Sequence, residues 1–178
     1  MTLATWITLS RLGAIPILLY LLRITAAGEP SDSVRWICVW VFVIASCTDW
    51  LDGYVARRFN QVTDLGKFLD PLVDKLLILV PLMALTELRI VPAWTVAIIL
   101  FRELAIAGWR VSQTTISGAN WWGKVKTVVQ IFAIALLMAP LTAPWDAAAV
   151  GVYGAAIALT LISGYIYVLP KKQALEEI

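Results

Sequence analysis

Histidine is absent from all 178 residues. That excludes Ser-His-Asp and Cys-His nucleophilic schemes, which need an imidazole to take up and return a proton. The two cysteines, Cys38 and Cys47, fall in the apolar run Val34–Cys47, where free thiols pack as small hydrophobes. They offer no clue to redox compartment. Charge is also scarce, at 15% of the chain against roughly 25% for soluble domains. No basic run or RNA-binding signature is present, so nucleic acid is not an expected partner. Neither an internal repeat nor a low-complexity linker divides the chain, and residues 1–178 fit a single domain.

Apolar side chains stand where charge is missing. They make up 61% of the residues, against roughly 45–50% in soluble proteins. Runs close to the roughly 20 residues needed to cross a bilayer recur at about Trp6–Leu22, Val34–Tyr54, Lys67–Leu85, Pro92–Trp109, Lys124–Ala139 and Ala147–Leu169. Polar or proline-bearing punctuation separates them, at Gly28–Ser33, at Val91-Pro92 and from Ala139-Pro140 to Pro144-Trp145. The expected fold class is therefore all-α: a polytopic membrane protein, a bundle of six transmembrane helices. Trp36, Trp50, Trp94, Trp109, Trp121, Trp122 and Trp145 lie near span ends, as interfacial anchors do. Leu12–Leu22 followed by Thr25-Ala26-Ala27-Gly28 has the look of a secretory leader. Arg11 is its only basic residue and Trp6, Ile7 and Leu9 are already apolar, so the first span is expected to be retained.

Lysine and arginine set the orientation. Arg57, Arg58, Lys67, Arg110, Lys124, Lys126, Lys171 and Lys172 collect on one side, and only Arg23, Arg35 and Arg89 on the other. Both termini are thus expected in the cytoplasm, together with the connection between the second and third spans.

That connection holds the chemistry. Asp49, Asp52, Asp70 and Asp74 stand at the inner ends of two neighbouring spans. Carboxylates near the hydrocarbon boundary are costly unless cations meet them, and Arg57 alone is too little. Spacings of three and four residues put each pair on one helical face. Two such faces would gather carboxylate oxygens into one pocket, and oxygen-only ligation points to Mg²⁺ or Mn²⁺. Gly53, Ala56 and Gly66 allow close approach of a backbone or a flat ligand, and Arg57 is a planar cation suited to phosphate. Arg58 and Asp64 read as ordinary loop charges.

These positions follow the pattern D-x-x-D-G-x-x-A-R-x8-G-x3-D-x3-D without a gap. The pattern resembles the signature of the CDP-alcohol phosphatidyltransferases, integral membrane enzymes of phospholipid synthesis. The resemblance implies two metal ions on Asp49, Asp52, Asp70 and Asp74, with Asp74 also the general base on the acceptor hydroxyl. It implies CDP-diacylglycerol held at Asp52, Gly53, Ala56, Arg57 and Gly66. The opening T-L-A-T-W-I-T-L-S-R-L-G-A-I-P, the F-R-E-L at 101–104 and the W-W-G-K-V-K-T-V-V-Q at 121–130 resemble members that use sn-glycerol 3-phosphate and release CMP. The opening departs from them in having Ala4-Thr5-Trp6 where asparagine and proline are expected. A bacterial inner membrane is the home the resemblance implies.

Arg102 and Glu103 interrupt the fourth run. They read either as a satisfied structural pair or, for Arg102 with Arg110, Lys124 and Lys126, as a cationic lining for the acceptor's phosphate. Other acceptors, inositol phosphate, serine or phosphatidylglycerol, stay open. A divalent-cation transporter is the rival from another class, since acidic rings also line ion pathways; it requires polar residues continuing to the far side, and Leu76–Leu82 and Trp36–Ile44 are apolar. Gly151-x-x-x-Ala155 and Gly154-x-x-x-Ala158 give the last span a small-residue stripe. It serves packing within the bundle or between two chains, and the family resemblance implies a homodimer.

Overall fold

Apolar runs in this chain satisfy their backbone groups locally, and a helix is the one single-segment structure that does so. The computed structural model describes the backbone of residues 3–27, 31–59, 64–112 and 121–168, and the side chains of residues 9–25, 31–48, 71–109, 121 and 123–166. The described residues form α1 (Leu3–Ala27), α2 (Asp32–Phe59), α3 (Asp64–Glu87), α4 (Ala93–Ser112), α5 (Trp121–Met138) and α6 (Trp145–Val168), with no strand among them. The shortest has 18 residues and the longest 28, or about 27 and 42 Å at 1.5 Å per residue. Arg58 and Asp64 lie on helices rather than in a loop: α2 continues to Phe59 and α3 begins at Asp64.

The ends have identifiable causes. Ser31 accepts from the amides of Val34 and Arg35 through its carbonyl, at 2.9 and 3.3 Å, and Asp32 puts a negative charge in the first turn of α2, where the helix dipole favours it. At the far end of α3, Ile90 N donates to Leu85 O at 2.9 Å and Arg89 N to Thr86 O at 3.0 Å. This paired closure requires a left-handed residue, and Arg89 takes it at φ 59°. The last carbonyls of α5 are met from another helix: Arg35 Nε donates to Met138 O at 3.2 Å and its Nη2 to Ala139 O at 2.9 Å.

Helix α1 packs on α2 and α3, α5 lies along α6, α2 and α3 both touch α5, and α4 leans on α3 and α6. Leu18, Phe42, Leu82, Leu85, Ile99 and Ile134 form the most deeply buried part of the core. Cys38 is buried there as expected, whereas Cys47 faces outward. Several polar side chains join this apolar core, and many large apolar ones face outward. Arg11, Lys126, Gln130, Thr160 and Ser163 are inside, while Tyr20, Trp40, Met83, Phe101, Val128 and Tyr165 are outside. Water rewards neither half of that arrangement, since lysine and arginine are rarely buried in soluble domains. Among the described residues, one helix is long and apolar enough by itself to cross a membrane, over Trp145–Ile166.

Candidate functional site

The backbone is helical through Asp49 and Asp52 on α2 and through Asp70 and Asp74 on α3. Each pair therefore shares a face of its helix. Helices α2 and α3 pack together, and both pack on α1, so the carboxylate-bearing segments share one end of the bundle. Pro71, between Asp70 and Asp74, brings no amide to the ladder and leaves one carbonyl of the preceding turn without its usual partner. The side chains of Asp49, Asp52, Gly53, Ala56, Arg57, Gly66 and Asp70 lie outside the described residues, and so does that of Arg110.

Asp74 is described, and one of its partners is a residue that the sequence alone does not assign to the site. Arg11 Nη1 of α1 donates to Asp74 Oδ1 at 2.6 Å, with the arginine side chain 1% exposed and the aspartate 42%. An arginine buried within an apolar helix is itself a functional-site signal. The leader-like context of the segment masked it.

The second constellation joins three helices. Glu103 Oε1 on α4 accepts from Arg102 Nη1 at 2.9 Å and, in a closer contact, from Lys126 Nζ of α5. Arg102 Nη2 reaches α6, donating to Ser163 Oγ at 2.9 Å, and Ser163 in turn donates to Thr160 O. The backbones of α4 and α5 do not come into close contact among the described residues, so long side chains bridge the space between them. Arg102 and Glu103 thus pair with each other, and Lys126 joins them as a second cation. Two basic groups against one acid leave the cluster a net positive charge. Lys75, next to Asp74 in the chain, lies within electrostatic reach of Lys126, so the aspartate helix and the basic cluster are neighbours. Lys124 is exposed and, two residues from Lys126, points about 200° away around the helix. Arg102 also lines an apolar groove of about 520 Å³ between α4 and α6, with Phe101, Ile106, Leu161 and Tyr165.

The donor set fits a hard divalent cation. Its candidate ligands are carboxylates only, with no histidine anywhere in the chain, which suits Mg²⁺ or Mn²⁺ and disfavours zinc. The Asp74 side chain is 42% exposed beside its arginine.

Comparison with known proteins points to one family. The profile described as CDP-alcohol phosphatidyltransferase matches residues 1–165. A Bacillus subtilis protein named CDP-diacylglycerol–glycerol-3-phosphate 3-phosphatidyltransferase is 40% identical over 142 residues, 74% of either chain. A Mycobacterium tuberculosis protein named "Probable phosphatidylglycerophosphate synthase" is 39% identical over 168 residues, 93% of this chain and 79% of its own. A Salmonella choleraesuis protein with the same name as the Bacillus one is 36% identical over 143 residues, 75% of each.

Proposed function

The chain belongs to the CDP-alcohol phosphatidyltransferase family, and we propose that it transfers the phosphatidyl group of CDP-diacylglycerol to sn-glycerol 3-phosphate, releasing CMP and forming phosphatidylglycerophosphate. The observation that carries the choice of acceptor is the Arg102–Glu103–Lys126 cluster beside the Asp74 helix. Charge-assisted donors suit a dianionic phosphate, and a neutral alcohol has no use for them.

Asp49, Asp52, Asp70 and Asp74 would hold two divalent ions, which would supply neutralising charge to the pyrophosphate and to the departing CMP oxygen. Gly53, Ala56 and Gly66 leave room for cytidine, and Arg57 binds its phosphates. Arg102, Arg110 and Lys126 take the acceptor's phosphate, and Lys124, on the opposite face of α5, stays outside that set. Asp74 accepts the proton of the acceptor hydroxyl, whose oxygen bonds to the phosphatidyl phosphorus as the bond to CMP breaks. The electron pair leaves with CMP. A carboxylate is a weak base, but in-line phosphoryl transfer depends mainly on positioning and charge neutralisation.

The large apolar side chains on the exterior support six membrane spans, and we place them in a bacterial inner membrane with both termini and the site on the cytoplasmic face. On α6, Gly151, Gly154, Ala155 and Ala158 face outward, and a Cβ on either glycine meets nothing within 4 Å. That open stripe supports a homodimer in which two backbones approach closely. A transporter gains nothing here, because the core beyond Asp74 is closed by Leu77, Leu82 and Leu85.

An acceptor panel tests the assignment: purified protein with CDP-diacylglycerol and glycerol 3-phosphate, glycerol, serine, inositol, inositol phosphate or phosphatidylglycerol, read as CMP release. Glycerol 3-phosphate is expected to lead. Equal use of glycerol or serine would return the basic cluster to a structural role.

A further inference from the structure

Arg11 occupies a position where a leucine would satisfy the packing. It heads the stripe Arg11, Ile15, Leu18 and Leu22, all buried, spaced as one face of α1. That face meets Val73 and Leu77 of α3 within the same core. Stripping a guanidinium of water costs several kcal/mol, and a buried ion pair is often no more stable than well-packed apolar side chains of similar size. Joining α1 to α3 therefore does not account for an arginine here.

The unequal burial of the two partners does. The cation is sealed, at 1% exposure, and the carboxylate in front of it is 42% exposed. At 2.6 Å the bond is at the short end for a charged pair, and a guanidinium is a rigid fork that fixes direction as well as charge. We infer that Arg11 is a positioning residue for the reaction: from the α1–α3 seam it sets the direction in which the Asp74 carboxylate faces the divalent ion and the acceptor hydroxyl. The inference rests on the assignment of Asp74 above. It makes α1 part of the site, although none of the signature residues lies on α1.

A double-mutant cycle tests it, using full-length protein in nanodiscs and two readouts, Mn²⁺ binding and CMP release. Arg11→Gln and Asp74→Asn are each expected to weaken Mn²⁺ binding about tenfold. If Arg11 acts through Asp74, the double variant is no more than about threefold weaker than Asp74→Asn, because coupled residues are not additive. Arg11→Lys keeps the charge without the fork. It is expected to weaken Mn²⁺ by about threefold and lower kcat with the CDP-diacylglycerol KM unchanged, and to do nothing to Mn²⁺ binding in the Asp74→Asn background. Additive losses near a hundredfold overturn the inference, as does wild-type Mn²⁺ binding and transfer in Arg11→Gln. Should Arg11→Gln fail to fold, equal effects of Arg11→Lys in both backgrounds overturn it. Wild-type Mn²⁺ binding by Asp74→Asn alone defeats the underlying site assignment instead.

Discussion

Gly164 lies directly against Arg102: a methyl group on residue 164 would stand 3.2 Å from Arg102 Cγ and 3.3 Å from its Nε. Helix α6 thus gives up a side chain where the α4 arginine crosses to Ser163. Gly164→Ala should displace Arg102 by a few tenths of an ångström and raise the glycerol 3-phosphate KM by roughly three- to tenfold, leaving that for CDP-diacylglycerol within about twofold. Gly164→Leu should act more strongly. Steady-state kinetics with each substrate varied separately checks both.

Arg110→Gln and Lys126→Gln should raise the KM for glycerol 3-phosphate about ten- to a hundredfold, the loss of one charged hydrogen bond. The same measurement for CDP-diacylglycerol should change little. A parallel rise in both constants would point to general damage rather than to acceptor binding.

Transfer should require Mg²⁺ or Mn²⁺, and excess chelator should abolish it reversibly. Asp49→Asn, Asp52→Asn and Asp70→Asn should each eliminate CMP release while eluting at the wild-type position in size-exclusion chromatography. Activity at the wild-type rate in any of the three would remove the metal site from the account.

Asp74→Asn should stop turnover while CDP-diacylglycerol binding stays measurable, since three carboxylates still hold at least one ion. Asp74→Ala should lie within about tenfold of it, a difference of about 1.4 kcal/mol, if the loss is that of a base rather than of shape. Ligand binding and single-turnover rates separate the two effects.

Away from the site, Thr95 Oγ1 and Tyr153 Oη share a buried hydrogen bond of 2.8 Å between α4 and α6, and Thr95 also donates to Pro92 O at 2.6 Å. Tyr153→Phe leaves Thr95 that second partner. It should cost only about 0.5–1.5 kcal/mol, read as a small drop in thermal midpoint with kcat unchanged.

The helices were legible because long apolar runs broken by polar residues leave few other ways to satisfy a backbone in an apolar setting. Their ends were less so. Hydropathy puts the close of the second helix at Tyr54, whereas the helix runs to Phe59, because arginines such as Arg57 and Arg58 are good helix formers that a hydropathy count leaves out. The aspartate spacing was legible for the same reason that it works: a period of three or four is a helical face. Arg11 was not, since its partner lies 63 residues away and no local pattern encodes the rotation of one helix against another. Lys126 and Glu103, 23 residues apart, were hidden in the same manner, though both were marked as charges in apolar surroundings.

Arg35 binds carbonyls that lie 103 and 104 residues further along the chain. At synthesis rates of about 5–20 residues per second, that separation leaves the arginine waiting roughly 5–20 s for its partners to be made. Until α5 emerges, α2 carries an uncapped cation at its N-terminal end, and only water or lipid headgroups can meet it. The tie between an early helix and a late one therefore closes near the end of biogenesis. A chain truncated before Met138 keeps α1 to α4 but lacks the clasp that joins them to the last pair.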